Sequence, residues 1–385
     1  MVSGEWRDFP ATEFAIRSRR VIRVLQLIEE NAEFEARRGV DGLSRALGEQ
    51  FTLETRTIGR GGDYRDVATA AATIRRNGAA YDIVHAWGGC ALAAATLGPQ
   101  PATVFSPAVE TRRRTIGWVR AVLSYRDVQV ICPTATLRRR LVERGVPIER
   151  CHLIRPGVEF GRINRRKDPA LRARLRLSDD DHVLLAPGET TLAANHDSSL
   201  WAATVLHVAD PKYKLLTWGR GPSIGRFRRF TTGLGALIAA RQAEAELGRT
   251  IEFEGLLSAA DTVLINATGA VATLPIAMCM AAALPIVSFT SYTVGELLQH
   301  GHNALMVGSN NPKLVAQRVL ELRADSGLQW RIADMARTEA YEYFAFTRFV
   351  NQFRMVYKQL AAGEKVSVPE DAPGAGARFH SLGGR

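Results

Sequence analysis

Cysteine is scarce in this sequence, with four residues in 385, Cys90, Cys132, Cys151 and Cys279. None is spaced as a metal-binding pair, and each sits among apolar neighbours, where cysteine acts as a small hydrophobe. A disulfide scaffold and a zinc module are therefore excluded, no metal is expected, and a reducing cytoplasm is the expected compartment. Long uncharged runs are scarce too. The longest, from Thr262 to Gly295, is broken by Pro275 and Pro285 and by Asn266, Thr268 and Thr273, so it is not expected to span a bilayer. The first 19 residues lack the apolar core of a secretory leader, so any membrane contact is expected to be peripheral, at the inner face. Phosphate loops, a dinucleotide fingerprint after the first strand and a nucleophile elbow are missing. Zinc, RNA-recognition and basic-zipper signatures are missing as well, so nucleic acid is not an expected partner.

What remains is a globular composition, 46% apolar and 23% charged, in a chain long enough for two domains. Apolar, β-branched runs at residues 21–28, 81–87, 102–105 and 128–132, and an alternating one at 51–58, are interleaved with helical periodicity, the pattern of parallel βαβ units. The pattern restarts at residues 182–186, 213–218, 262–265 and 285–289. One long helix is expected from about residue 222 to 245, and another, with Tyr341, Phe344, Phe349, Phe353 and Tyr357 at helical spacing, over residues 339–360. The net charge of +11 is uneven. Residues 112–176 hold 18 Lys and Arg against five acids, a local excess of 13. Such a segment suits either an anionic ligand or membrane surface, or arginine-rich solvated helix faces.

Ala260–Asp261–Thr262–Val263, Met280 through Val287, Glu296 and Gly301 through Val307 resemble the donor-domain motifs of the family-4 glycosyltransferases. Cys132 to Glu159, with Gly145–Val146–Pro147 and Pro156–Gly157–Val158–Glu159, resembles that family's passage from first to second domain, and Gly219–Arg220–Gly221–Pro222 its glycine turn. The resemblance implies an α/β protein of GT-B architecture, two doubly wound parallel-sheet (Rossmann-like) domains facing a cleft. The organisation it implies is a lead-in (1–19), an acceptor-side domain (20–160), a donor-side domain (161–338), a helix crossing back to the first domain (339–361) and a disordered tail (362–385).

Breaking a sugar–diphosphate bond needs positive charge or helix N-terminal amides near the leaving group. By resemblance the donor site is formed by Gly188, Glu189, Gly219, Met278, Thr293 and Glu296, with His85 as the catalytic candidate at the end of a strand. Gly88 and Gly89 open a helix whose amides could hold an anion or a sugar oxygen. Arg112, Arg113, Arg114 and Trp118 form a candidate acceptor or anion patch. The chain departs from the family at its charged anchors: Ala270 and Met278 stand where it has glutamates, Glu189 and Ala194 where it has Arg and Lys, and Tyr292 and Thr293 where it has glycines. Two functions stay open. One is transfer from a nucleotide-sugar, used as substrate with no cofactor, to an acidic, glycan or lipid-linked acceptor, retaining anomeric configuration without a metal. The other is a non-catalytic sugar-binding or partner-binding module, which would have a protein partner. Asn195–His196–Asp197 reads as a helix cap.

Overall fold

The computed structural model describes residues 21–59, 64–77, 80–97, 102–109, 113–219, 221–235, 240–248, 252–308 and 310–369. The expected lead-in, Arg112, and the side chains of Arg113 and Arg114 lie outside them. Twelve strands are described. Those of the first half are β1 (Ile22–Glu29), β2 (Phe51–Ile58), β3 (Ile83–Trp87), β4 (Ala102–Ser106), β5 (Val128–Cys132) and β6 (Cys151–Leu153). The second half supplies β7 (His182–Ala186), β8 (Tyr213–Thr217), β9 (Ala240–Gln242), β10 (Thr262–Ile265), β11 (Ile286–Phe289) and β12 (Leu305–Val307).

They form two parallel six-stranded sheets, ordered β2-β1-β3-β4-β5-β6 and β12-β11-β10-β7-β8-β9. Central strands such as β3 and β10 are buried at every residue, as parallel strands covered by helices on both faces must be. The edge strand β2 instead alternates, with its middle exposed. Strand order reverses between β1 and β3 in the first sheet and between β7 and β10 in the second. In open α/β sheets ligands bind beyond the strand ends at such switch points.

Two expectations need correction. The helix after Pro222 ends at Gly233, just before Gly235 takes a left-handed conformation (φ 61°), and the chain returns as β9 before the helix Ala243–Leu247. The aromatic helix starts earlier, at Ser326, and breaks at Ala345 into Ser326–Phe344 and Phe346–Ala361. The reason is a backbone bridge. Val158 N donates to Phe344 O (2.7 Å) and Phe346 N to Val158 O (3.2 Å), tying the two interdomain passages together. Beyond the break, Phe349, Phe353, Val356 and Tyr357 pack on the first sheet beside Val24, Ile83 and Trp87. Of the tail, residues 362–369 are described, and Val366 is buried in that same cluster.

Candidate functional site

The ends of β1 and β3 face the ends of β7 and β10 across a cavity of about 800 Å³. Its walls are aromatic and acidic. Trp87, Trp118, Phe346 and Phe349 contribute the first kind, and Glu29, Glu33, Glu35, Glu159, Glu189 and Glu254 the second. Arg38 is the cation among the described lining residues, and it is ion-paired with Glu252 and with Glu254 (2.5 Å).

Two helices begin at this cavity and a third at the domain junction beside it, and a carboxylate meets the first amides of each. Glu29 Oε1 accepts from Cys90 N (2.8 Å), at the start of the helix Gly89–Thr96. Gly88 before it has φ 105°, and a side chain there would run into the Glu29 carboxylate, so the turn requires glycine. Glu35 Oε2, from the first domain, accepts from Thr273 N (2.8 Å) and Leu274 N (2.9 Å), at the start of the second domain's helix Leu274–Ala281. Glu296, from the second domain, accepts from Ala135 N (2.7 Å) and Thr136 N (2.9 Å), at the start of the first domain's helix Ala135–Val142. Helix N-termini attract anions because their amides are unpaired and their dipoles align, so internal carboxylates occupy the places where an external phosphate would be drawn.

Phe34 is held the same way. Its amide donates to Glu189 Oε1 (3.0 Å), and its ring meets Trp218 edge-on with centroids 4.9 Å apart and approaches Phe253 at 6.5 Å. The segment after β1 thus crosses the cleft and plugs into the second domain. Burial pushes the Glu35 carboxyl above its usual value, more than its bonds to Leu274 and Thr273 pull it down. Glu189 is also raised by burial, against smaller opposing effects of the Phe34 amide and Arg37.

The expected donor-site residues scatter accordingly. Glu189 and Met278 line the cavity, and Gly188 lines its smaller neighbour. Gly219 has φ 93°, and a Cβ would stand 2.8 Å from Gly188 O, so it holds two turns together. Thr293 is buried, and Glu296 is tied to Arg155 (3.0 Å) with both side chains buried, so this pair bridges the domains away from the cavity wall. The catalytic candidate His85 is fully buried behind the cavity. Its Nδ1 lies 2.6 Å from Tyr357 Oη and its Nε2 2.8 Å from Ser106 Oγ, and it stacks on Trp87 at 4.2 Å. Burial holds its pKa at about 3, so it is neutral near pH 7, and it is not among the residues that line the cavity. Trp118 lines the cavity and is 38% exposed.

Several described cations of the basic segment are already paired. Arg150, Arg155, Arg162, Lys167, Arg172 and Arg176 each pair with a carboxylate, and Arg172 is 1% exposed against Asp261. Asn195 precedes the helix His196–Ala209, yet its side chain caps nothing there and donates to Asn266 O (3.1 Å). The loop from Glu29 to Glu35 was missed in the sequence because single glutamates there carry no local pattern. Their partners lie up to 239 residues away.

No protein-family model matches the chain, and no curated protein matches it. Solved structures do. A crystal structure of Anabaena Alr3699/HepE in complex with UDP and glucose aligns with a TM-score of 0.71 at 15% identity, over 86% of this chain and 98% of that one. A glycosyltransferase from Rickettsia africae aligns at 0.72 and 14% identity, over 88% and 98%. WaaG, a glycosyltransferase involved in lipopolysaccharide biosynthesis, aligns at 0.66 and 13% identity, over 87% and 99%. The chain therefore has the two-domain GT-B fold of these glycosyltransferases.

Proposed function

We propose that this chain is a glycosyltransferase that moves a sugar from a nucleotide-sugar to an acceptor held in the interdomain cleft. The observation that carries the reading is the cavity of about 800 Å³ placed where the switch points of both sheets meet, within the size range of small-molecule sites. Its aromatic walls suit the apolar faces of sugar rings, and its carboxylates suit their hydroxyls. The half-exposed ring of Trp118 gives an entering acceptor a stacking face. Six described glutamates against Arg38 argue for a neutral or cationic acceptor in place of the acidic one expected from the basic segment. By the family-4 resemblance, transfer would retain anomeric configuration.

A second reading has its own support. Glu35 already occupies the amides of Thr273 and Leu274, and Glu189 lines the same cavity, so a diphosphate at those amides would have to displace one carboxylate and share the cavity with another. This favours a non-catalytic module that binds sugar, or a protein partner, in the closed cleft. Saturation-transfer NMR with UDP-glucose and GDP-mannose separates the two. Signal on both nucleotide and sugar protons supports the transferase, signal on sugar protons alone supports the module, and no signal from either ligand contradicts the transferase.

A further inference from the structure

The open part of the cleft belongs mainly to the first domain. Among the described residues that line the cavity, only Glu189, Thr191, Pro222, Glu254, Leu274 and Met278 come from the second. What screens the rest is the first turn of the helix Phe34–Ala46, which leaves its own domain and lies across the strand ends of the other. Past that turn the helix is anchored at home. Val40 and Leu43 are buried against the first sheet, and a Cβ on Gly39 would stand 2.6 Å from the Trp87 ring. Residues 34–38 are the part that projects.

Each anchor of the projecting turn falls beyond a second-domain strand. The Phe34 amide donates to Glu189 (3.0 Å), just after β7, and the Phe34 ring meets Trp218, the residue after β8. Glu35 caps Thr273 and Leu274, on the passage out of β10. Arg38 lies over the Phe34 ring, 5.3 Å from its centroid, and pairs with Glu254 (2.5 Å) and Glu252. The second sheet reverses its strand order between β7 and β10, so the turn covers the switch point where a ligand of that sheet would bind. The first sheet's switch point, between β1 and β3, stays open, with Glu29, Trp87 and Gly88 in the cavity wall. One domain offers its site and at the same time covers its partner's.

We propose that residues 34–38 are an autoinhibitory strap, which covers the second domain's ligand site in this closed form and swings clear when a nucleotide-sugar binds there. This rests on the transferase reading and adds its regulation. A ligand that the strap excludes binds only the opened fraction of molecules, so a closed form favoured about tenfold weakens the apparent affinity about tenfold.

Calorimetric titration with UDP and GDP tests the strap on the wild type, Glu35→Ala, Glu35→Gln and Arg38→Gln, each first shown to melt cooperatively. Glu35→Ala strips the cap from Thr273 and Leu274, whereas Glu35→Gln keeps an acceptor for them. Both lose the same charge, so their difference reports the contact alone. Glu35→Ala should bind about tenfold more tightly than Glu35→Gln, and Arg38→Gln about tenfold more tightly than wild type. Simple charge attraction predicts otherwise, because losing Glu35 would help an anion equally in both variants and losing Arg38 would weaken it. That pattern would overturn the strap. Should Glu35→Ala not fold, the sign of the Arg38→Gln effect decides. Equal binding by all the proteins would overturn the strap and leave the nucleotide-sugar reading standing, and binding by none would overturn both.

Discussion

The Glu35 carboxylate on one domain accepts the Leu274 amide of the other at 2.9 Å, so a first-domain side chain caps a second-domain helix. Burial raises the Glu35 pKa in the folded protein. Its stabilising contribution is therefore complete below its ordinary value of about 4.5 and is lost as pH rises through the raised folded value. At neutral pH the charged form is the disfavoured one, and a neutral isostere that still accepts should be tolerated. Glu35→Gln is expected to melt at or above the wild-type temperature at pH 7. Glu35→Ala, which strands the two amides, should lose about 1–3 kcal/mol. Differential scanning calorimetry of both variants checks this, and a large loss in Glu35→Gln would count against it.

Four histidines shift the other way. Burial lowers His85 to about 3, and His152, His182 and His196 to about 4, from an ordinary 6.5. Their contribution is complete above pH 6.5 and is lost as pH falls through that value towards 4, because the unfolded chain takes up protons that the native one refuses. Each group adds a slope of about 1.4 kcal/mol per pH unit in that window. Denaturant midpoints measured between pH 7 and pH 5 should fall, and less so in His85→Gln.

Arg155 and Glu296 form a buried interdomain pair, and Glu296 also accepts two amides of the helix Ala135–Val142. Removing one member takes away the other's buried counter-charge, at a typical cost of about 3–5 kcal/mol. Glu296→Ala should show that loss in urea unfolding, whereas an exposed pair such as Arg139 with Glu143 should cost under about 1 kcal/mol when broken.

Phe34 bridges the cleft to Trp218 and Phe253. Phe34→Ala should destabilise the protein by about 3 kcal/mol, at the lower end of large-to-small core changes because the ring is only half-buried. It should also shift the tryptophan emission to the red, and a spectrum identical to wild type would place Phe34 elsewhere.

Much of the fold was legible in the sequence. β5, β7 and β10 span the residues their apolar runs marked, because buried parallel strands need continuous β-branched residues, and the edge strand β2 spans the residues its alternation marked. β9 was not legible, since Ala240–Gln242 is a three-residue edge strand without that composition. Within the cleft, Glu189 and Met278 were named by the family resemblance, and both line the cavity. His85 also sits on its expected strand, but alternation turns it towards Tyr357, a partner 272 residues away that no local pattern announces. Glu296 illustrates the same limit, because its role depends on where a distant helix begins.

The central claim is that the interdomain cleft binds a sugar-bearing ligand. Calorimetric titration with UDP, GDP and their sugar conjugates, on the wild type and on Trp118→Ala, tests it most directly, because Trp118 is exposed enough to be changed without loss of the fold. One-to-one binding of a sugar conjugate, with the negative heat-capacity change of apolar burial and about tenfold weakening in Trp118→Ala, is the predicted result. No heat across the panel, or binding indifferent to Trp118, would contradict the account.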